Sequence, residues 1–252
     1  EGGAETLSQV CRFVNERMPT LGEQDVLAAI ARGNHAGGPA GTFWCLDPID
    51  GTKGFIRDDQ YAVALGLIRD GEVVLGVLGC PNLADEVGDD TADVGRIYYA
   101  VNGQGAWRLP LEGGTPERVV VSMRAAGADA RFCESVESGH TRHDAASQVI
   151  SGLGSQADSV RLDSQCKYAV VARGEADVYL RLPPRPDYEE RIWDHAAGWC
   201  VTTEAGGTVS DVTGKPLDFS QGRTLSANRG VIATNGALHE AVISVVRPVL
   251  GM

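Results

Sequence analysis

Two carboxylates, a hydroxyl and a glycine turn stand together in Asp47-Pro48-Ile49-Asp50-Gly51-Thr52. The preceding Phe43-Trp44-Cys45-Leu46 is apolar and aromatic and reads as a buried strand feeding the loop. Pro48 lacks a backbone donor, so the loop is expected to leave the strand there. Two acids three positions apart repel each other in a dry site unless a cation lies between them. Mg²⁺ takes such carboxylate and carbonyl oxygens, and the Ile49 carbonyl between the acids is a third donor. Gly51 lets the backbone approach an anion, and Thr52 adds a hydroxyl and an N–H beside it. An Asx-rich surface turn has the same residue types, and the loop alone leaves both readings open.

A third carboxylate, Asp194, falls in Ile192-Trp193-Asp194-His195-Ala196-Ala197-Gly198. Ala197, Cys200, Val201 and Ala205 keep helical spacing, and Gly206-Gly207 stops the run. The spacing puts Asp194 in the first turn of a helix, where plain capping of the helix dipole is the competing explanation.

Together these motifs, with Glu204-Ala205-Gly206-Gly207 after them, resemble the inositol monophosphatase superfamily of Mg²⁺-dependent, lithium-sensitive phosphatases. Within it the chain looks like the 3′(2′),5′-bisphosphate nucleotidase branch. The likeness runs through Asp59–Leu65, Val77–Leu83, Glu134–His140, Asp163–Tyr168 and Asp177–Arg181. It implies a layered αβαβα fold of the α/β (α+β) class, with the active site in a cleft between two halves. It implies that Asp47, the Ile49 carbonyl, Asp50 and Asp194 hold two or three Mg²⁺ ions. Asp50 and Thr52 then stand at the reacting centre, and Thr52 hydrogen-bonds the attacking water. The N–H groups of Gly51 and Thr52 hold the scissile 3′-phosphate, with Asp194 also against substrate. His140, Ser164, Lys167 and Arg181 contact the nucleotide and its 5′-phosphate. Without the resemblance, Lys167 and Arg181 read as solvated surface charges, as do Lys53, Arg57 and Lys215. Trp193 is expected to brace Asp194.

The implied reaction removes the 3′-phosphate of adenosine 3′,5′-bisphosphate, giving AMP and phosphate. By the same likeness 3′-phosphoadenosine 5′-phosphosulfate is a second substrate, a link to sulfur metabolism. Relatives carry an acidic pair upstream of the point where this chain begins, so the chain is expected to be truncated at its N-terminus. An inositol phosphatase and a catalytically silent nucleotide-binding protein are the competing readings.

Positioning these residues falls to elements the sequence outlines. Leu7, Val10, Cys11, Val14 and Met18 mark an amphipathic opening helix, and residues 26–31 a second. Residues 62–68 and 73–78 read as strands about an Asp70-Gly71 hairpin turn, and 97–101 continues the sheet. From Val119–Ser122 onward, strands at 160–162 and 176–182 alternate with helices after Thr141 and Ser164, so Ser164 and Lys167 share a face at a helix start. Pro110, Gly113, Gly114 and Pro116 suggest a boundary, giving halves 1–115 and 116–252.

With 34 acidic against 22 basic residues the net charge is −12, which argues against binding a nucleic acid polymer. A bound metal and a few local bases still permit a small nucleotide. No apolar run reaches membrane-span length. The six scattered cysteines lack zinc spacing and read as reduced core residues of an intracellular protein. The expectation is cytoplasmic, with chloroplast and mitochondrion left open, and a monomer or weak homodimer.

Overall fold

A computed structural model describes residues 2–88, 94–136, 143–185 and 187–252. The chain forms two compact units, Glu1–Ala36 and Gly37–Met252. The first contains α1 (Gly2–Arg17) and α2 (Glu23–Ala31). In α1 the half-buried positions are Leu7, Val10, Cys11 and Val14, the stripe set by the 3.6-residue period. Met18 lies beyond the helix end and is exposed, so it does not belong to that stripe. Asp25 opens α2 by accepting the Gly22 N–H at 2.9 Å.

In the second unit, β1 (Thr42–Asp50), β2 (Ala62–Arg69), β3 (Glu72–Cys80), β4 (Arg96–Val101), β5 (Ala106–Pro110) and β6 (Glu117–Val119) form one antiparallel sheet in sequence order. Asp70 and Gly71 both take positive φ, 51° and 81°, the conformation of a two-residue hairpin turn of right-handed twist. Two expectations change here. Val119 closes this sheet instead of opening the next, and β1 does not stop at Pro48. The strand continues to Asp50 through a bulge, with Asp47 opposite Ala64 and Asp50 opposite Ala62. As the edge strand, β1 tolerates a residue without an N–H. Its position also explains why only Phe43 and Cys45 are buried, while Trp44 and Leu46 on the other face are exposed.

The second sheet runs β10 (Thr208–Ser210), β11 (Val231–Thr234), β9 (Val178–Arg181), β7 (Phe132–Glu134), β8 (Val160–Arg161). Its β7 is parallel to both neighbours, and the β9–β11 and β10–β11 pairs are antiparallel. One face, with Val178, Leu180 and Ile232, packs on α4 (His143–Leu153) and α7 (His239–Val249). The opposite face, with Cys133, Tyr179 and Ala233, belongs to the core that also takes in α5 (Cys166–Ala172), α6 (Ala196–Glu204) and the first sheet. Sheet, helices, sheet and helices therefore stack in layers, the α/β arrangement expected.

The inner helices approach closely because small residues line the contact. A Cβ on Gly76 of β3 would lie 2.6 Å from the Ala197 carbonyl. A Cβ on Gly198 of α6 would lie 2.2 Å from the ring of Tyr168, which is fully buried. Helix propensity alone would make Gly198→Ala stabilising by about 1 kcal/mol. Here the ring has nowhere to go, so the substitution is expected to destabilise by about 2 kcal/mol in urea unfolding. A stabilised variant would show that α6 and α5 can separate without cost.

Candidate active site

A cavity of about 310 Å³ opens where the end of β1, the start of α5, the end of β9 and the turn before α6 converge. The bulge in β1 turns Asp47 and Asp50 to the same side. The Ile49 N–H then donates to Asp47 Oδ1 at 3.1 Å. Gly51 takes φ 80°, and a Cβ there would lie 2.7 Å from Ser164 Cβ, so both conformation and space call for glycine. Thr52 opens the short α3 (Thr52–Ile56), and its Oγ1 donates to the Ile49 carbonyl at 3.1 Å.

Asp194 arrives from the other side of the chain. It ends a single 3₁₀ turn, Ile192–Asp194, two residues before α6, so the expected placement in the first turn of that helix is corrected. Asp47, Asp50 and Asp194 each bring a carboxylate oxygen within 4.8 Å of the others. Burial, and then the charge of Asp194, push the Asp50 pKa up to about 7. Burial also raises Asp47, against the Ile49 hydrogen bond. Three crowded carboxylates, one held back from ionising, form an all-oxygen set that a hard divalent cation fits.

Lys167 and Arg181 are not the surface charges their residue types suggest. Lys167 is 3% exposed, donates to the Leu162 carbonyl at 3.2 Å and lies 5.3 Å from the Tyr179 ring centre. Burial lowers its pKa, and the Asp50 charge opposes that. Arg181 donates through Nη2 to Asp194 Oδ2 at 3.0 Å and through Nε to Glu190 Oε2 at 2.9 Å. Ser164 lies before α5 with φ 66°, not within the helix start, so it does not share a helical face with Lys167.

All the residues proposed from sequence for the site line this one cavity, except His140, which lies outside the described residues. Sequence reading missed three more lining residues: Lys53, Ser135 and Asp163. Arg57, read as a surface charge, pairs with Asp163 at 2.5 Å. Gln165 was also missed as a brace. Its N–H donates to Asp50 Oδ2, its Nε2 to the Trp193 carbonyl at 2.9 Å, and its Oε1 accepts the Gly198 N–H at 3.1 Å. That residue ties the β1 loop to the segment bearing Asp194. Trp193 stands beside Asp194 with Arg191 and Arg223 over its ring.

Residues 6–250 match the model of the inositol monophosphatase family. A 3′(2′),5′-bisphosphate nucleotidase of Emericella nidulans is 49% identical over 242 residues, covering 90% of this chain and 69% of that protein. One from Oryza sativa is 44% identical over 260 residues, covering 98% and 72%. Among solved structures, an IMPase from Thermotoga maritima superposes with TM-score 0.63 at 26% identity, over 83% of this chain and 70% of that one. Inositol monophosphatase from Anabaena superposes with TM-score 0.64 at 23% identity, over 90% and 84%, a likeness of fold. Among the described residues no helix is long and apolar enough to cross a membrane.

Proposed function

This chain belongs to the inositol monophosphatase family, and on that premise we propose that it is a Mg²⁺-dependent phosphatase that takes the 3′-phosphate from adenosine 3′,5′-bisphosphate. The products are AMP and inorganic phosphate. We further propose 3′-phosphoadenosine 5′-phosphosulfate as a second substrate, which gives the protein a role in sulfur metabolism. The nucleotide relatives, at 44–49% identity, support the substrate class. The observation that carries the reading is that the clustered carboxylates Asp47, Asp50 and Asp194 share one cavity with the buried Lys167 and the half-buried Arg181.

Asp47, Asp50, Asp194 and the Ile49 carbonyl would hold the metal, two or three ions in the proposed reading. Bound there, Mg²⁺ would acidify water and neutralise charge on the phosphoryl oxygens. The chain's own residues do the positioning. Thr52 spends its hydroxyl proton on the Ile49 carbonyl, so its lone pairs remain to accept from the attacking water and aim it. The Gly51 and Thr52 N–H groups would donate to the 3′-phosphate, whose charge spreads over its oxygens in the transition state. Lys167 supplies positive charge for the second phosphate, which its burial strengthens by excluding water, and the half-buried Arg181 adds guanidinium donors beside it. Ser164 adds a hydroxyl from the facing turn. In this reading His140 closes the nucleotide end.

Incubating the chain with adenosine 3′,5′-bisphosphate, 3′-phosphoadenosine 5′-phosphosulfate and inositol 1-phosphate tests the proposal. With Mg²⁺, phosphate is expected from the two nucleotides, with AMP as a product of the first. Chelation should stop release and added Mg²⁺ restore it. Release from inositol 1-phosphate alone would move the chain to the inositol branch, and nucleotide binding without release would make it a silent binder.

A further inference from the structure

Behind Asp194 lies a buried chain of polar groups with no role in the steps above. Tyr168 donates its hydroxyl to His195 Nδ1 at 2.7 Å, and His195 Nε2 donates to Glu190 Oε2 at 3.1 Å. The same Glu190 oxygen accepts Arg181 Nε, and Arg181 Nη2 goes on to Asp194. Glu190 is 2% exposed, and its other oxygen, Oε1, has no partner among the described residues. Glu190, Asp194 and His195 come close enough together to suggest a second metal trio. The Arg181 guanidinium already bridges the two carboxylates of that trio, so the cation there is an arginine.

A buried carboxylate carries a desolvation cost, offset here by the Arg181 and His195 donors. Paired with Glu190, the guanidinium adds close to no net charge beside Asp194. Unpaired, it would put a full positive charge against the oxygens that must receive a metal. We propose that Glu190 is a positioning residue for the acid cluster: it anchors Arg181 through Nε and offsets that charge, so that Asp194 keeps its capacity to ligate a cation. The inference rests on the proposed reading of Asp194 as a metal ligand.

Calorimetric titration of MgCl₂ into the whole chain, without nucleotide, tests it. Glu190→Gln keeps an oxygen to accept Arg181 Nε but removes the charge, and should weaken Mg²⁺ binding about tenfold. Adding Arg181→Gln to that variant restores neutrality and should return the dissociation constant to within about threefold of wild type. A merely structural defect would instead accumulate in the double variant. Mg²⁺ binding by Glu190→Gln equal to wild type, or a double variant as weak as the single, overturns the proposal. If Glu190→Gln does not fold by circular dichroism, Glu190→Asp, which keeps the charge, decides: wild-type Mg²⁺ affinity supports the proposal and a tenfold loss overturns it. A wild-type chain that binds no Mg²⁺ removes the metal reading and this inference together. One that binds Mg²⁺ but releases no phosphate from nucleotides removes the substrate reading only.

Discussion

Asp194→Asn is expected to lower kcat/KM for nucleotide hydrolysis by about a thousandfold or more while the chain stays folded. The amide has the carboxylate's shape, and its oxygen can still accept Arg181 Nη2, so packing around the 3₁₀ turn is kept. What it lacks is the third negative charge of the cluster formed with Asp47 and Asp50. Phosphate release beside circular dichroism reads both halves of the expectation, and near wild-type turnover would remove Asp194 from the machinery. The same variant carries a pH signature in chelated protein. The Asp50 pKa is raised by burial first and by Asp194 second, to about 7. A folded carboxylic acid with a raised pKa binds more protons than its unfolded form. Its contribution to stability is therefore complete below about pH 4 and is lost as pH rises through about 7. Thermal midpoints of the metal-free wild type should fall across that window. In Asp194→Asn the fall should be shallower, because one of the charges resisting Asp50 ionisation is gone. An identical fall in both proteins would mean that the two carboxylates do not feel each other.

What could be read from sequence was local. The Asp47–Thr52 loop announces itself because its donors, its turn glycine and its hydroxyl are neighbours in the chain. The Asp70-Gly71 turn and the α1 stripe follow from propensity and period in the same way. Pro48 misled because a proline rule that holds inside a sheet relaxes at an edge strand with a bulge, and edge position is a property of the whole sheet. The surface reading of Lys167 failed for a related reason. All seven residues of α5, Cys166–Ala172, are buried, since the helix lies in the layer between two sheets. A segment apolar on every side of the helix carried that signal, and the lysine within it was the exception to notice.

The braces of the site left no local trace. Gln165 reaches Asp50 across 115 positions, and Arg57 reaches Asp163 across 106. Glu190 stands near Asp194 in sequence, yet its partner Arg181 arrives through β9, and Tyr168, which bonds its other partner His195, arrives through α5. Amino-acid type and spacing identify groups that can do chemistry. Which polar residues hold them at the working distance depends on the stacking of layers, and a single chain without its fold does not encode that as a pattern.

The largest stability effect is expected at Asp177, just before β9 and outside the cavity lining. Its side chain is fully buried and takes four donors: Ser122 Oγ, Arg124 Nε at 2.7 Å, the Arg131 N–H at 2.8 Å and Asn235 Nδ2 at 3.3 Å. Its backbone joins the same segments, donating to the Arg131 carbonyl and accepting the Asn235 N–H. One carboxylate thus fastens the connection between the two sheets to the entry of β9 and the end of β11. Asp177→Ala takes the acceptor from Arg124 Nε, the Ser122 hydroxyl and the Arg131 N–H, though Arg124 Nη2 and Asn235 Nδ2 keep other acceptors, and should cost about 3–5 kcal/mol in urea unfolding. Asp177→Asn keeps the volume but turns an amide N–H₂ toward donors, so its cost should be smaller yet still above about 1 kcal/mol. Arg124→Ala removes the partner that is 29% exposed, where water replaces much of the lost bond, and should cost less than Asp177→Ala. Below the unfolding transition the nucleotide KM of all three should match wild type, since none of these groups lines the cavity. Losses under about 0.5 kcal/mol for Asp177→Ala would mean that the network repays no more than the desolvation of its own charges.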